Sequence, residues 1–127
     1  MEVCRTIAEY RGAIAGYRAS GESIGLVTTM GALHAGHMAL VASARAENDR
    51  VVTTIFVNPT QFGPREDFGR YPRDLARDRK LLHGQGCCDI VFVPDADGMY
   101  APGTSTVIEE SAVSSGLCGA ARPGHFR

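Results

Sequence analysis

The sequence contains no apolar run approaching the roughly 20 residues that a membrane-crossing helix needs. Nor does a hydrophobic leader follow Met1-Glu2-Val3-Cys4-Arg5, so a cytoplasmic protein without membrane partners is expected. A strong charge of either sign is also missing. Thirteen basic and 14 acidic side chains leave a formal net charge of −1, which gives no electrostatic reason to expect nucleic acid as a partner. Several of the cations, Arg70, Arg73, Arg77, Arg79 and Lys80, lie among Asp67, Asp74 and Asp78, and the mixture reads as a solvated helix face. No CxxC pair occurs. The four cysteines are Cys4, Cys87, Cys88 and Cys118, and adjacent Cys87 and Cys88 would face opposite sides of a strand. Free thiols are expected rather than a zinc site or a disulfide framework. Internal repeats and low-complexity tracts are absent as well.

What is present is a chain of 127 residues, enough for one domain with a modest core. Val3, Ile7, Tyr10, Ile14 and Tyr17 recur at helical spacing and predict a helix over 5–19, ended by Ser20-Gly21-Glu22-Ser23. Residues 24–27 read as a strand and 36–47 as an Ala-rich helix. Residues 51–57 form a β-branched run suited to a strand buried on both faces of a parallel sheet. A long polar loop over 58–72 reads as a lid or binding loop. It precedes a helix over 73–83 that starts at Pro72 and stops at Gly84 and Gly86, a third strand over 89–94, and a weaker fourth over 103–109. Strands alternating with helices predict a doubly wound α/β sheet, in which ligands sit beyond the C-terminal strand ends. His34, His37, Asn58 and Gln61 all follow such ends.

The most informative stretch is Thr28-Thr29-Met30-Gly31-Ala32-Leu33-His34-Ala35-Gly36-His37. A strand running through a Gly-containing turn into a helix is a place to hold phosphate, because the first helical N–H groups lack internal partners and the macrodipole is positive there. Two histidines three residues apart project to one side and could both donate to one anion. Capping the helix is the alternative employment for them. Met30 and Leu33 could equally be core residues.

This stretch resembles the HxGH signature of the nucleotidyltransferase superfamily, in the form carried by the pantothenate synthetase (pantoate–β-alanine ligase) family. Three further stretches resemble the same family in the same order. They are Ile55-Phe56-Val57-Asn58-Pro59-Thr60-Gln61-Phe62-Gly63-Pro64, the run from Asp67 through Arg70-Tyr71-Pro72-Arg73, and Ala121-Arg122-Pro123-Gly124-His125-Phe126-Arg127. Thr28 stands where that family usually has Pro.

The resemblance implies a Rossmann-like nucleotide-binding domain over 1–127, a homodimer, and ATP, Mg2+, pantoate and β-alanine as the small molecules handled. Pantoate would be activated as an adenylate with loss of pyrophosphate, then captured by the β-alanine amine to give pantothenate and AMP. Met30, Gly31, Ala32, Leu33, His34, Ala35, Gly36 and His37 would bind ATP, with His37 and His34 in the catalytic role. Asn58, Gln61 and Phe62 would bind pantoate and β-alanine, Phe62 as an apolar wall or else as a loop anchor. No protein side chain is assigned to a metal. Tyr71 and residues 67–73 look like a gate. Arg122, His125 and Arg127 are either cationic donors or a polar tail. The family's lysine-bearing C-terminal domain is not in this sequence, so weak or no turnover by this chain alone is expected. A sister adenylyltransferase with another substrate and a non-catalytic ATP-binding fragment are the competing readings.

Overall fold

In a computed structural model, residues 1–63, 68–110 and 112–122 are described. Four strands, β1 (Glu2–Cys4), β2 (Ile24–Thr29), β3 (Arg50–Ile55) and β4 (Ile90–Phe92), form one sheet in the order β1-β4-β3-β2. All three pairings are parallel. The helices are α1 (Ile7–Ala19), α2 (Ala35–Glu47) and α3 (Leu75–Gln85), with the short α4 (Ala96–Met99) and α5 (Cys118–Ala121). Two 3₁₀ turns, Pro59–Gln61 and Phe68–Arg70, interrupt the long loop.

Alternation along β3 explains why the sheet is covered twice. Val51 and Ile55 join Val27, Leu33, Val41, Leu82 and Val91 on the face covered by α2 and α3. Val52 points the other way and joins Ile14 of α1, Cys4, Ile90 and Phe92. Helices thus lie on both faces, which is the doubly wound α/β arrangement. Each fully buried aliphatic side chain contributes about 1.5–3 kcal/mol. The helix ends are set by local chemistry. Thr6 Oγ1 accepts from Glu9 N–H at 3.2 Å while the Glu9 carboxylate accepts from Thr6 N–H at 3.0 Å, a reciprocal cap that starts α1. At the start of α3 the cap is Asp74, accepting from Arg77 N–H at 2.9 Å, so this helix begins two residues later than Pro72 suggests. It closes at Gly86, whose φ of 68° is the left-handed cap conformation.

One expectation is corrected. The weak fourth strand over 103–109 does not form: residues 104–110 have no regular structure, and Ile108 is 87% exposed. The outer position beside β4 is taken by β1 instead, with Glu2 opposite Ile90 and Cys4 opposite Phe92. Three residues are too few to show an alternation pattern in sequence. All four cysteines are free, Cys4 and Cys88 buried and Cys118 exposed. Among the described residues no helix is long and apolar enough to cross a membrane.

At the N-terminal rim of the sheet the charges meet one another. Asp89 accepts from Val51 N–H at 2.7 Å and forms ion pairs with Arg45 and Arg50, and Arg50 also pairs with Glu22 at 2.7 Å. Asp49 takes both the N–H and the hydroxyl of Ser23. The opposite rim is built differently.

Candidate active site

At its C-terminal end β2 runs into a turn that only certain residues can form. Thr29 Oγ1 accepts from Gly31 N–H at 3.1 Å and donates to the Thr54 carbonyl at 2.7 Å, tying the turn to β3. Gly31 has φ 85°, and a Cβ there would stand 3.1 Å from Ile55 Cγ2 and 3.2 Å from Asp78 Oδ2. Glycine is needed on both counts. The next residue, Ala32, also has positive φ, 52°, which costs an L-residue about 1–2 kcal/mol. Asp78 on α3 holds that conformation: Oδ2 accepts from Ala32 N–H at 2.9 Å and Oδ1 from Leu33 N–H at 2.8 Å. The Arg77 guanidinium donates to the Leu33 carbonyl at 3.0 Å. Asp78 is 1% exposed, so this part of α3 is not the solvated face that its charge mixture suggests. Leu33 is fully buried in the core cluster of α2 and α3; its side chain packs, and only its backbone belongs to the turn.

His34 caps α2. Its Nδ1 accepts from Gly36 N–H at 3.1 Å and its carbonyl accepts from Met38 N–H at 3.1 Å, which leaves Nε2 as the ring's N–H donor. The amides of Gly31, Ala32, Leu33 and Gly36 are therefore all bound within the protein. These bonds fix the shape of the turn from within the protein. The His34 and His37 ring centroids lie 4.1 Å apart, so the two histidines do share one side of the turn. They differ in setting. His37 is half-buried and lines the main cleft, whereas His34 is exposed on a shallow depression with Arg77, Leu81 and Gln85. Among the described residues His37 Nδ1 is the one buried side-chain nitrogen or oxygen without a hydrogen-bond partner. Burial pushes the His37 imidazole below its ordinary pKa, the neighbouring His34 pushes the same way, and the Asp78 carboxylate opposes both. A neutral ring at neutral pH, able to gain a proton as negative charge arrives, is the result.

The main cleft has a volume of about 590 Å³ and opens beyond the C-terminal ends of β2 and β3. Thr28, Thr29, Met30 and His37 come from the first of these ends, and Thr54, Phe56, Asn58 and Gln61 from the second. Tyr10, Phe92, Tyr71 and Met99 complete the apolar walls. The Tyr10 and Phe92 rings are stacked 4.7 Å apart. Asn58 is oriented by three donors to its Oδ1: Thr60 N–H at 3.1 Å, Thr60 Oγ1 at 2.9 Å and Tyr100 Oη at 2.8 Å. Its Nδ2 donors are what remain for a ligand. Arg122 donates to the Gln61 carbonyl at 2.9 Å, which places that cation beside the loop; His125, Arg127 and Asp67 lie outside the described residues. Phe62 is not brought to the cleft. It meets Phe68 and Tyr71 edge-on, at 5.4 and 5.7 Å, and anchors the loop while Tyr71 forms wall. Arg73 braces the same loop from the Phe68 carbonyl, at 3.0 Å.

Asp78 and Tyr100 are the contributors that sequence reasoning passes over. Asp78 did carry a signal: Leu75, Asp78 and Leu82 fall at i, i+3 and i+7 on the inward stripe of α3, and a charge on an apolar stripe implies a buried partner. Tyr100 is an isolated aromatic with no such signal. Among the described residues no group of three or more His, Cys, Asp or Glu side chains converges as metal ligands would.

Comparison with known proteins agrees with this geometry. The sequence profile of the family described as Pantoate-beta-alanine ligase matches residues 2–127. Pantothenate synthetase of Rhodospirillum rubrum is 54% identical over all 127 residues, and that of Roseiflexus sp. is 58% identical over the same length. The chain spans 45% and 44% of those two relatives, slightly under half their length. Among solved structures, pantothenate synthetase from Thermus thermophilus superposes with a TM-score of 0.83 at 48% identity, over 99% of this chain and 44% of that one. Pantoate-beta-alanine ligase from Francisella tularensis, solved with beta-gamma ATP and beta-alanine, superposes with a TM-score of 0.88 at 37% identity, over 99% of this chain and 48% of that one. With the family profile matched nearly end to end, and the Gly31 turn, His37, Asn58 and Gln61 gathered at one rim, this chain belongs to the pantoate–β-alanine ligase family.

Proposed function

We propose that this chain supplies the ATP-binding half of the site at which pantoate is condensed with β-alanine. One observation carries the reading: groups from two separate strand ends, the 30–37 turn and the 58–61 turn, face the same cleft, as a two-substrate reaction at a sheet's C-terminal rim requires. The Francisella tularensis relative was solved with an ATP compound and beta-alanine, which supports the same substrates here. Mg2+ enters this reading as the counter-ion carried on the ATP phosphates. A cytoplasmic homodimer completes it, supported by family membership.

In the first step a pantoate carboxylate oxygen attacks the α-phosphorus of ATP and pyrophosphate leaves. In the second the β-alanine amine attacks the acyl carbon, AMP leaves, and the amine loses a proton. The side chains have three tasks here: alignment, stabilisation of charge as it develops, and exclusion of water from the adenylate. His37, neutral and half-buried, offers an N–H donor and a proton acceptor to the phosphates. The backbone around Met30 lies against adenosine, and His34 donates from Nε2 at the outer side. Asn58 offers Nδ2 and Gln61 its amide to pantoate and β-alanine, and Phe62 acts through the loop it anchors. Residues 1–127 act as one nucleotide-binding unit in this account.

Gln61→Ala tests the division of labour. Ligand-observed NMR should show pantoate affinity falling about tenfold or more while ATP affinity stays within twofold, because Gln61 sits on a different strand end from the nucleotide turn. Unchanged pantoate binding would return Gln61 to the role of a turn residue.

A further inference from the structure

A buried carboxylate with no place in the chemistry above sits directly behind the nucleotide turn. We infer that Arg77 and Asp78, consecutive on α3, are positioning residues that hold residues 31–33, and through them His34 and His37, in the geometry that receives ATP. The inference rests on the ATP reading of residues 30–37. Each oxygen of Asp78 takes one backbone N–H of the turn, at 2.9 and 2.8 Å, and Arg77 takes the Leu33 carbonyl at 3.0 Å. Arg77 also lies 3.6 Å from Asp78 Oδ1. At 1% exposure water cannot replace the carboxylate. An amide cannot replace it either: Asn presents one acceptor oxygen and turns an NH₂ toward the second N–H. The clamp acts on the turn at Ala32, where backbone conformation is least favourable for the residue present. Without it Ala32 relaxes toward negative φ, and the two histidine rings that follow lose their common direction. α3 therefore controls the site from across the sheet face without lining the part of the cleft that His37 lines.

The test uses amide hydrogen exchange and ATP titration on the same isotope-labelled protein. In Asp78→Asn, exchange protection at Ala32 and Leu33 should drop at least tenfold relative to the β3 amides, and ATP should bind about tenfold more weakly. Val91→Ala, a core substitution in the same cluster, should leave both readouts within twofold, which separates positioning from mere loss of stability. Arg77 is half-exposed, so Arg77→Met should fold normally; about threefold weaker ATP binding and faster Leu33 exchange are expected. Should Asp78→Asn not fold, Arg77→Met decides alone. Native protection and native ATP affinity in a folded Asp78→Asn protein, or in Arg77→Met where the other variant does not fold, would overturn the inference. If the unsubstituted protein binds no ATP, it is the ATP reading that fails, and exchange at Ala32 and Leu33 still shows whether the clamp holds the turn.

Discussion

The two rims of this sheet use polar groups in opposite ways. At the N-terminal rim, Asp89 satisfies Val51 N–H and pairs with Arg45 and Arg50, while Arg50 turns its remaining charge to Glu22. At the C-terminal rim, His37 keeps a buried nitrogen without a partner, and Asn58 has its oxygen committed to the protein with its donors left over. The first rim is self-sufficient and stabilises the fold. The second is incomplete by itself, and a buried polar atom without a partner costs about 1–3 kcal/mol. The contrast also shows that a charged side chain is not informative by type. Asp89 and Asp78 are both half-hidden or hidden carboxylates holding backbone N–H groups, yet one closes a strand entrance and the other shapes the turn between β2 and α2.

Substitutions at the two rims should separate stability from binding. The largest effect is expected for Asp89→Ala, which strands Val51 N–H and leaves Arg45 and Arg50 without their shared partner. About 2 kcal/mol of stability should be lost, seen as a lower urea midpoint, with ATP affinity within twofold of the original. His37→Ala should do the reverse: ATP binding about tenfold weaker by calorimetry, with the urea midpoint unchanged or slightly raised because the unpaired nitrogen is gone. A drop in stability for His37→Ala matching that of Asp89→Ala would erase the distinction between the rims.

The smallest effect concerns pH. Burial lowers the His37 pKa beneath its ordinary value of 6.5, so the folded state resists protonation more than the unfolded chain does. The stability tied to this group is therefore fully present above about pH 6.5 and is lost as pH falls through the depressed folded value. Between pH 7 and pH 5.5 the original protein should lose slightly more stability than His37→Ala, and NMR titration should place the His37 midpoint below that of a model histidine. A midpoint at or above the ordinary value would mean that the ring is better solvated than its position implies.

Much of the architecture was legible in the residues. The β-branched run of β3 signalled a strand buried on both faces, and Gly31 signalled the turn by which β2 passes into α2. What was not legible depended on contacts between residues far apart in sequence. The β1 strand is too short for alternation and exists because β4 offers it an edge, whereas the β-prone residues 104–108 found no partner strand among the described residues. Asp78 looked solvated because charge density was read without helical phase; its position on the stripe of Leu75 and Leu82 held the answer. Phe62 was read either as a wall of the site or as a loop anchor, a choice its neighbours in sequence cannot make; the 3₁₀ turn Pro59–Gln61 ends just before it and its ring joins the aromatic group with Phe68 and Tyr71. The acceptor that holds the Ala32 and Leu33 amides, Asp78, lies 46 and 45 residues away, beyond the reach of a local reading.

The central claim is that the C-terminal rim is where ATP binds. The most direct measurement is an Mg-ATP titration followed by amide chemical shifts across the whole 127-residue chain. Shifts should concentrate at residues 30–37, extend to Asn58 and Gln61, and leave Arg45, Arg50 and Asp89 unmoved. Saturable shifts centred on the Arg45–Asp89 rim, or none anywhere at millimolar ATP, would contradict the account.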